Sequence, residues 1–367
     1  MKITSLELAG IKSTREMGKS GPSDPKKAVS YHVVVFLKTD AGITGLGEMS
    51  DVNFPVTRDT VAALKGKLEP ILVGQSPHDL TKVQTALRTQ KWQHQVLCGI
   101  DIALHDAVAK SFGVPVYRML GGKVRDRIPF CYPLATCKTA EDVAANLGRI
   151  ERVTAMGHMA FRYYFGADLD MDERLLEQMR RRWGDAIELS ALDASGWLDV
   201  ETAITATNRL APYRPVLVES PVKGRHNAPT QDFLAVKLAT KVPMGEHIVD
   251  FAVATRLGGA GAVDVWNIGI GYEGITFCRK LFALAEAYGV KTLLGSTVEM
   301  QIGTAARAHT AASMPNLHLT CYPAGPLVYQ ESYSRQPVQY DQGHTVVPDG
   351  PGVGVEIDME KLEKLAV

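Results

Sequence analysis

Cysteine is scarce in this 367-residue chain: Cys98, Cys131, Cys137, Cys278 and Cys321 are odd in number and form no C-x-x-C pair. That pattern argues against a disulfide framework and a structural zinc site, leaving buried thiols of a cytoplasmic protein as the expectation. An excess of one charge is also lacking. The 40 Lys and Arg balance the 40 Asp and Glu, so nothing basic is available to follow a phosphate backbone or an anionic membrane, and neither is an expected partner. The opening MKITSLELAGIK lacks the apolar core of roughly 7–15 residues that a secretory signal carries. No run of about 18 apolar residues occurs to span a bilayer.

What is present is an ordinary globular composition, 46% hydrophobic and 22% charged, spread over a length that suggests two domains. In residues 1–124 strands come before helices. YHVVVFLK and ITGLGEM flank a turn at Asp40-Ala41-Gly42 and predict a hairpin, with helices predicted over 57–73, 79–90 and 99–112. This reads as an α+β unit. From residue 125 to 325 short apolar runs alternate with amphipathic stretches. The runs at 128–134, 159–165, 187–192, 216–219, 242–246, 263–268, 291–294 and 317–321 predict eight parallel strands and a (β/α)8 barrel. Residues 326–367 include HTVVPDGPGVGVEID, an extended Gly- and Pro-rich stretch expected to pack back on the first unit.

Barrel chemistry belongs to side chains at the C-terminal strand ends. Three consecutive predicted strands finish on acids: Asp193 in LDASGW, Glu219 in VESP and Glu246 in GEH. Strands about 4.8 Å apart would bring these carboxylates close together, and like charges that close do not all stay ionised alone. A divalent cation resolves the conflict, and an all-oxygen set without Cys favours Mg2+ over zinc. Each acid could instead cap the helix that follows it, but three in consecutive repeats favour the ligand reading.

The segment CGIDIALHDAVAKSFGVPVYRMLGGKVRDRIP, the three strand-end motifs, YEGITFCRKL and HTVVPDGPGVGVEID occur in an order that resembles the mandelate racemase/muconate lactonizing enzyme branch of the enolase superfamily. The resemblance covers nearly the whole chain. It implies a modified (β/α)8 TIM barrel with an N-terminal α+β capping domain, and Mg2+ bound by Asp193, Glu219 and Glu246. It also implies abstraction of the α-proton of a small-molecule carboxylate substrate through an enediolate, in a homo-oligomer.

The chain departs from the family pattern where the bases usually stand. The strand-2 K-x-K motif is replaced by Arg162-Tyr163-Tyr164, and the strand-6 and strand-7 positions carry Gly269 and Thr297. A two-base racemisation is therefore demoted, because the strand 6–7 face is expected to be empty. Tyr164 is the candidate base, with Arg162 favouring its phenolate or holding the substrate carboxylate. The alternative is that Arg162 pairs with a metal-site acid and Tyr164 is a wall. His247, next to Glu246, is a further acid/base candidate. Lys223 in SPVKGRH could take a second anionic group, and Glu299 matches a glutamate that muconate-type members often carry. Ser195 and Asn267 are expected near the metal ligands. By resemblance, capping loops 16–26 and 50–57 set specificity, with Lys19 and Ser20 available to substrate. The expected reaction is dehydration of a hydroxy acid or acid sugar. Cycloisomerisation or epimerisation is the alternative, and a metal-binding homologue without catalysis is the reading from a different class.

Overall fold

Three antiparallel strands, β1 (Ile3–Thr14), β2 (Val29–Thr39) and β3 (Thr44–Met49), form a sheet in the order β1-β2-β3. The computed structural model describes residues 1–16, 29–322 and 325–367. Helices α1 (Arg58–Leu72), α2 (Leu80–Leu87), α3 (His94–Ser111) and α4 (Val116–Met119) follow. The hairpin and the three longer helices lie where the hydrophobic period put them. Helix α1 starts at a capping box, with Thr57 and Thr60 satisfying each other's backbone N–H groups. Helix α3 is buried over most of its length because it is packed on both sides. Gly45 and Gly47 of β3 let its backbone approach closely: a Cβ at either would collide with the α3 carbonyls of Ala103 or Gly99.

The remaining strands are β4 (Arg127–Pro129), β5 (Tyr132–Leu134), β6 (Ala160–Tyr164), β7 (Glu188–Asp193), β8 (Val218–Glu219), β9 (Met244–Ile248), β10 (Val265–Gly269) and β11 (Lys291–Gly295), then β12 (Tyr340–Asp341) and β13 (His344–Val346). Strands β5 to β11 form one seven-stranded sheet in the order β11-β10-β9-β8-β7-β6-β5, with parallel pairings throughout. Between them run α5 (Ala140–Ala155), α6 (Leu169–Trp183), α7 (Val200–Leu210), α8 (Thr230–Ala239), α9 (Phe251–Gly259) and α10 (Ile275–Tyr288). After β11 come α11 (Gln301–Ser313), α12 (Gly325–Val328) and α13 (Met359–Leu365). Side-chain oxygens of Thr139, Asp168, Asp199 and Asp250 cap α5, α6, α7 and α9. The architecture is a modified TIM barrel with an N-terminal cap.

Two strand expectations are corrected. The run at 317–321 is not a regular strand. It closes the ring through scattered backbone hydrogen bonds: Cys131 N–H to Cys321 O and Cys321 N–H to Pro129 O (both 3.0 Å) on one side, and His318 and Leu319 N–H to Thr292 O (3.0 and 3.2 Å) and Tyr322 N–H to Leu294 O (3.1 Å) on the other. The run at 128–134 splits where it changes partner: β4 pairs with β13, and β5 with β6. The long β1 has no counterpart among the sequence expectations.

The C-terminal stretch returns to α3 and α4. Val116 N–H bonds Gly352 O at 2.8 Å, and Val353 N–H bonds the buried Asp106 at 2.7 Å. Asp101 on α3 accepts from Gln84 on α2 and from the Thr276 hydroxyl (2.8 Å) and N–H (3.2 Å) on α10. Buried carboxyl groups thus stitch the cap to the barrel. Among the described residues no helix is long and apolar enough to cross a membrane.

Candidate active site

Side chains alternate across each strand, so the lumen of the barrel fills in layers. Ala191, Leu217 and Val265 form a buried apolar cluster with Cys131, Leu293 and Tyr322. Two residues further along the same strands come Asp193, Glu219 and Asn267, all fully buried. An apolar floor therefore carries a polar layer at the strand ends. Register places Tyr164 beside Asp193, Asp193 beside Glu219, and Glu219 beside Gly245, so Glu246 lies one residue beyond.

The three acids are held differently. Asp193 accepts from Ser195 N–H at 2.6 Å and pairs with Arg162. Glu219 meets Arg162 at 2.8 Å through one oxygen and accepts from Asn267 Nδ2 through the other. Glu246 accepts from Ser220 Oγ (2.8 Å) and His247 N–H (2.7 Å) through one oxygen, while its second oxygen is buried without a hydrogen-bond partner. Burial pushes Glu246 up to about 7, against the pull of those two hydrogen bonds and of Arg225. Ser195 and Ser220 both have positive φ, +49° and +44°. Such strain in non-glycine residues concentrates at functional sites.

Arg162 is buried among these acids. Its guanidinium lies over two tyrosine rings, 4.8 Å from the Tyr164 centroid and 4.2 Å from that of Tyr322. Burial opposes its charge, but Glu219 and the neighbouring tyrosines outweigh that and raise its pKa. The arginine thus pairs with the candidate metal ligands and stacks on the face of Tyr164.

The strand 6–7 face is not empty, which corrects the sequence expectation. Tyr272, just past β10, folds its ring back over Gly269, where an added Cβ would stand 2.8 Å from ring carbon Cε2. The tyrosine occupies the space that a side chain at 269 would use. Its oxygen lies 2.9 Å from His247 Nδ1. Asn267 Nδ2, which can only donate, lies 3.4 Å from His247 Nε2. A proton on Nδ1 would be donated to the Tyr272 oxygen and leave the phenol O–H free, whereas a proton on Nε2 would face Glu219 Oε1 at 3.5 Å, with Nδ1 accepting from the phenol. Burial pushes Tyr272 up and His247 well down, keeping the phenol protonated and the imidazole neutral. Sequence reasoning missed Tyr272. The available signal was a glycine at a strand end where a functional side chain is usual, followed three residues later by an aromatic.

Glu299 is buried, and its oxygens accept from Ser296 and from Thr297 N–H (2.9 Å) in its own turn. Lys223 is exposed. From the same loop it is Arg225 whose charge reaches Glu246, His247 and Tyr272, with its Nε buried and unpartnered. Lys19 and Ser20 lie outside the described residues. The adjoining Glu16 is tied to Tyr132 (2.5 Å) and Arg152 of the barrel.

By donor type the set suits a hard divalent cation: three buried carboxyl groups, two of whose oxygens (Glu219 Oε2 and Glu246 Oε2) have no hydrogen-bond partner, and a single guanidinium shared by Asp193 and Glu219. Arg162 stands between Asp193 and Glu219, and no three Asp, Glu, His or Cys side chains among the described residues converge closely enough to hold an ion.

Comparison with known proteins bears on this geometry. Residues 26–121 match the mandelate racemase / muconate lactonizing enzyme N-terminal domain, and residues 146–361 match the enolase C-terminal domain-like family. A chloromuconate cycloisomerase of Pseudomonas putida is 28% identical over 372 residues, 99% of this chain and 98% of its own. Muconate cycloisomerase 1-1 of Acinetobacter lwoffii is 31% identical over 310 residues, covering 82% and 79%. The solved muconate lactonizing enzyme from Pseudomonas fluorescens, complexed with muconolactone, superposes with TM-score 0.89 at 25% identity, over 100% of this chain and 99% of that one.

Proposed function

Because the chain belongs to the mandelate racemase/muconate lactonizing enzyme family of the enolase superfamily, we propose that it is an enzyme acting on a small carboxylate substrate. It moves the proton on the carbon next to the carboxylate and makes or breaks the adjoining C–O bond. The observation that carries this reading is the placement of acid/base groups on either side of the three acids: Tyr164 beside Asp193, and Tyr272 with His247 beyond Glu219. Asp193, Glu219 and Glu246 would hold Mg2+, which when bound supplies positive charge to the substrate carboxylate as the α-proton leaves.

The chain's own residues divide the rest of the work. Arg162 holds the substrate carboxylate with a guanidinium that stays charged. Tyr164, acting as the phenolate that the adjacent Arg162 guanidinium favours, takes the α-proton at its phenolic oxygen and becomes a neutral phenol. Tyr272 supplies a proton from its free O–H, and His247 Nδ1–H steadies the resulting phenolate, oriented in turn by Asn267. A departing hydroxide needs such a proton, so Tyr272 favours dehydration of a hydroxy acid or acid sugar.

Cycloisomerisation is the second reading, favoured by the names of the relatives. It makes or breaks the same kind of C–O bond, but its departing group is a carboxylate that needs no proton. A panel of hydroxy acids, acid sugars, cis,cis-muconate and muconolactone, incubated with enzyme and Mg2+ in D2O and followed by NMR, separates the two. Dehydration requires both Tyr164 and Tyr272, so Tyr164→Phe and Tyr272→Phe each abolish it. Cycloisomerisation survives Tyr272→Phe. Turnover unchanged in both variants overturns the assignment of acid and base. The reading keeps the expectation of a cytoplasmic homo-oligomer, in keeping with five buried cysteines that are all free.

A further inference from the structure

A buried cation already stands among the acids that the proposed metal would use. Arg162 is 6% exposed. Its Nη2 pairs with Asp193 and lies 2.8 Å from Glu219, while the tyrosine rings at 4.8 and 4.2 Å stack on the guanidinium. Tyr322 is fully buried, so this clamp belongs to the packed interior. A guanidinium is more weakly hydrated than an ammonium and stacks on aromatic faces, which makes it a stable resident of such a place.

We propose that Arg162 is a resident counter-ion that competes with the divalent cation for Asp193 and Glu219, so that metal binds only as the guanidinium gives up those two carboxylates. This rests on the metal-site reading given above. The geometry supports it in three ways. One nitrogen serves both acids, so a single displacement frees two ligands. The third acid, Glu246, has a buried oxygen without a hydrogen-bond partner and needs no such release. The tyrosine rings offer the guanidinium a surface to rest on when the carboxylates are taken. Charge-assisted contacts inside a protein are strong, and breaking the hydrogen bond to Asp193 together with the ion pair to Glu219 lowers metal affinity by about 100-fold relative to a site lacking the arginine. The released guanidinium is then free for the substrate carboxylate, so metal and carboxylate strengthen each other's binding.

The test is a titration of the full-length protein with Mn2+ alone, reading free Mn2+ by electron paramagnetic resonance and, in parallel, the thermal midpoint. Arg162→Met removes the charge at similar bulk, and Arg162→Lys keeps a charge without the planar fork. The expected result is weak Mn2+ binding by the wild type, binding about 100-fold tighter by Arg162→Met, and an intermediate value for Arg162→Lys. Mn2+ should also raise the midpoint of Arg162→Met more than that of the wild type. Should Arg162→Met fail to fold, Arg162→Lys carries the comparison. Tight binding by the wild type, matched or exceeded by neither variant, overturns the competition and leaves the metal site standing. No binding by any of the three at millimolar Mn2+ overturns the metal site and the competition together.

Discussion

Glu48 offers a sharp test of how the cap is fixed to the barrel. It lies at the end of the first sheet, fully buried, and its two oxygens accept four hydrogen bonds. One oxygen takes Ser50 Oγ and Met300 N–H, both at 2.6 Å; the other takes Gly303 N–H at 3.0 Å and Tyr333 O–H at 2.5 Å. Met300 and Gly303 open α11, where backbone N–H groups have no partner within the helix. Glu48→Gln keeps shape and volume but leaves one acceptor oxygen. Whichever way the amide turns, its NH2 faces one hydroxyl and one backbone N–H. The hydroxyl can rotate to accept, but the backbone N–H cannot. Leaving a buried donor unsatisfied costs about 1–3 kcal/mol, and the hydroxyl's forced rearrangement adds about 1 kcal/mol. The substitution should therefore cost about 2–4 kcal/mol, a large part of the roughly 5–15 kcal/mol typical of a folded protein. Guanidinium unfolding followed by tryptophan fluorescence and circular dichroism measures this. A loss below about 0.5 kcal/mol would refute the reasoning, since it would mean that four buried donors do not need the second oxygen.

Other outcomes follow from the same structure. Gly269→Ala places a methyl 2.8 Å from the Tyr272 ring and should displace it, costing about 1–3 kcal/mol. It should reduce dehydration as much as Tyr272→Phe does; full activity in Gly269→Ala would show that the ring's seat does not matter. Burial holds His309 down to about 4, so between the ordinary value of about 6.5 and that value the unfolded chain binds a proton the folded chain refuses. Stability should fall as pH drops through this window and be unaffected by this residue above it. His309→Gln should flatten the slope, which denaturant unfolding at pH 7.5, 6 and 5 would show; an identical slope in the variant would contradict it.

Much of the fold was legible because burial imposes period. The hairpin β2–β3, the helices around it and the carboxylates at three successive strand ends all follow from apolar spacing and from the residues that stop each run. The run at 317–321 looked like a strand because it is apolar and bounded, yet it closes the ring through scattered backbone hydrogen bonds rather than a regular ladder. Nothing in its composition distinguishes closing a barrel from joining one. Tyr272 and Tyr322 could not be placed for a different reason. Each acts through a return of the chain, Tyr272 over Gly269 and Tyr322 under Arg162, and a local pattern carries no record of what it folds back upon. Arg162 was read with two alternatives, and its pairing with Asp193 and Glu219 depends on three strands meeting. For Glu299 the local turn was not legible either: its oxygens accept from Ser296 and Thr297 just before it.

The central claim is that proton transfer occurs at the carbon next to a carboxylate, between Tyr164 and the Tyr272–His247 pair. The most direct test is turnover of the acid panel in D2O by the Mg2+-supplemented enzyme, with the α-carbon followed by NMR. The account predicts that the α-proton is lost to solvent or replaced by deuterium, and that this stops in Tyr164→Phe. A product that keeps its substrate's original α-proton would contradict it.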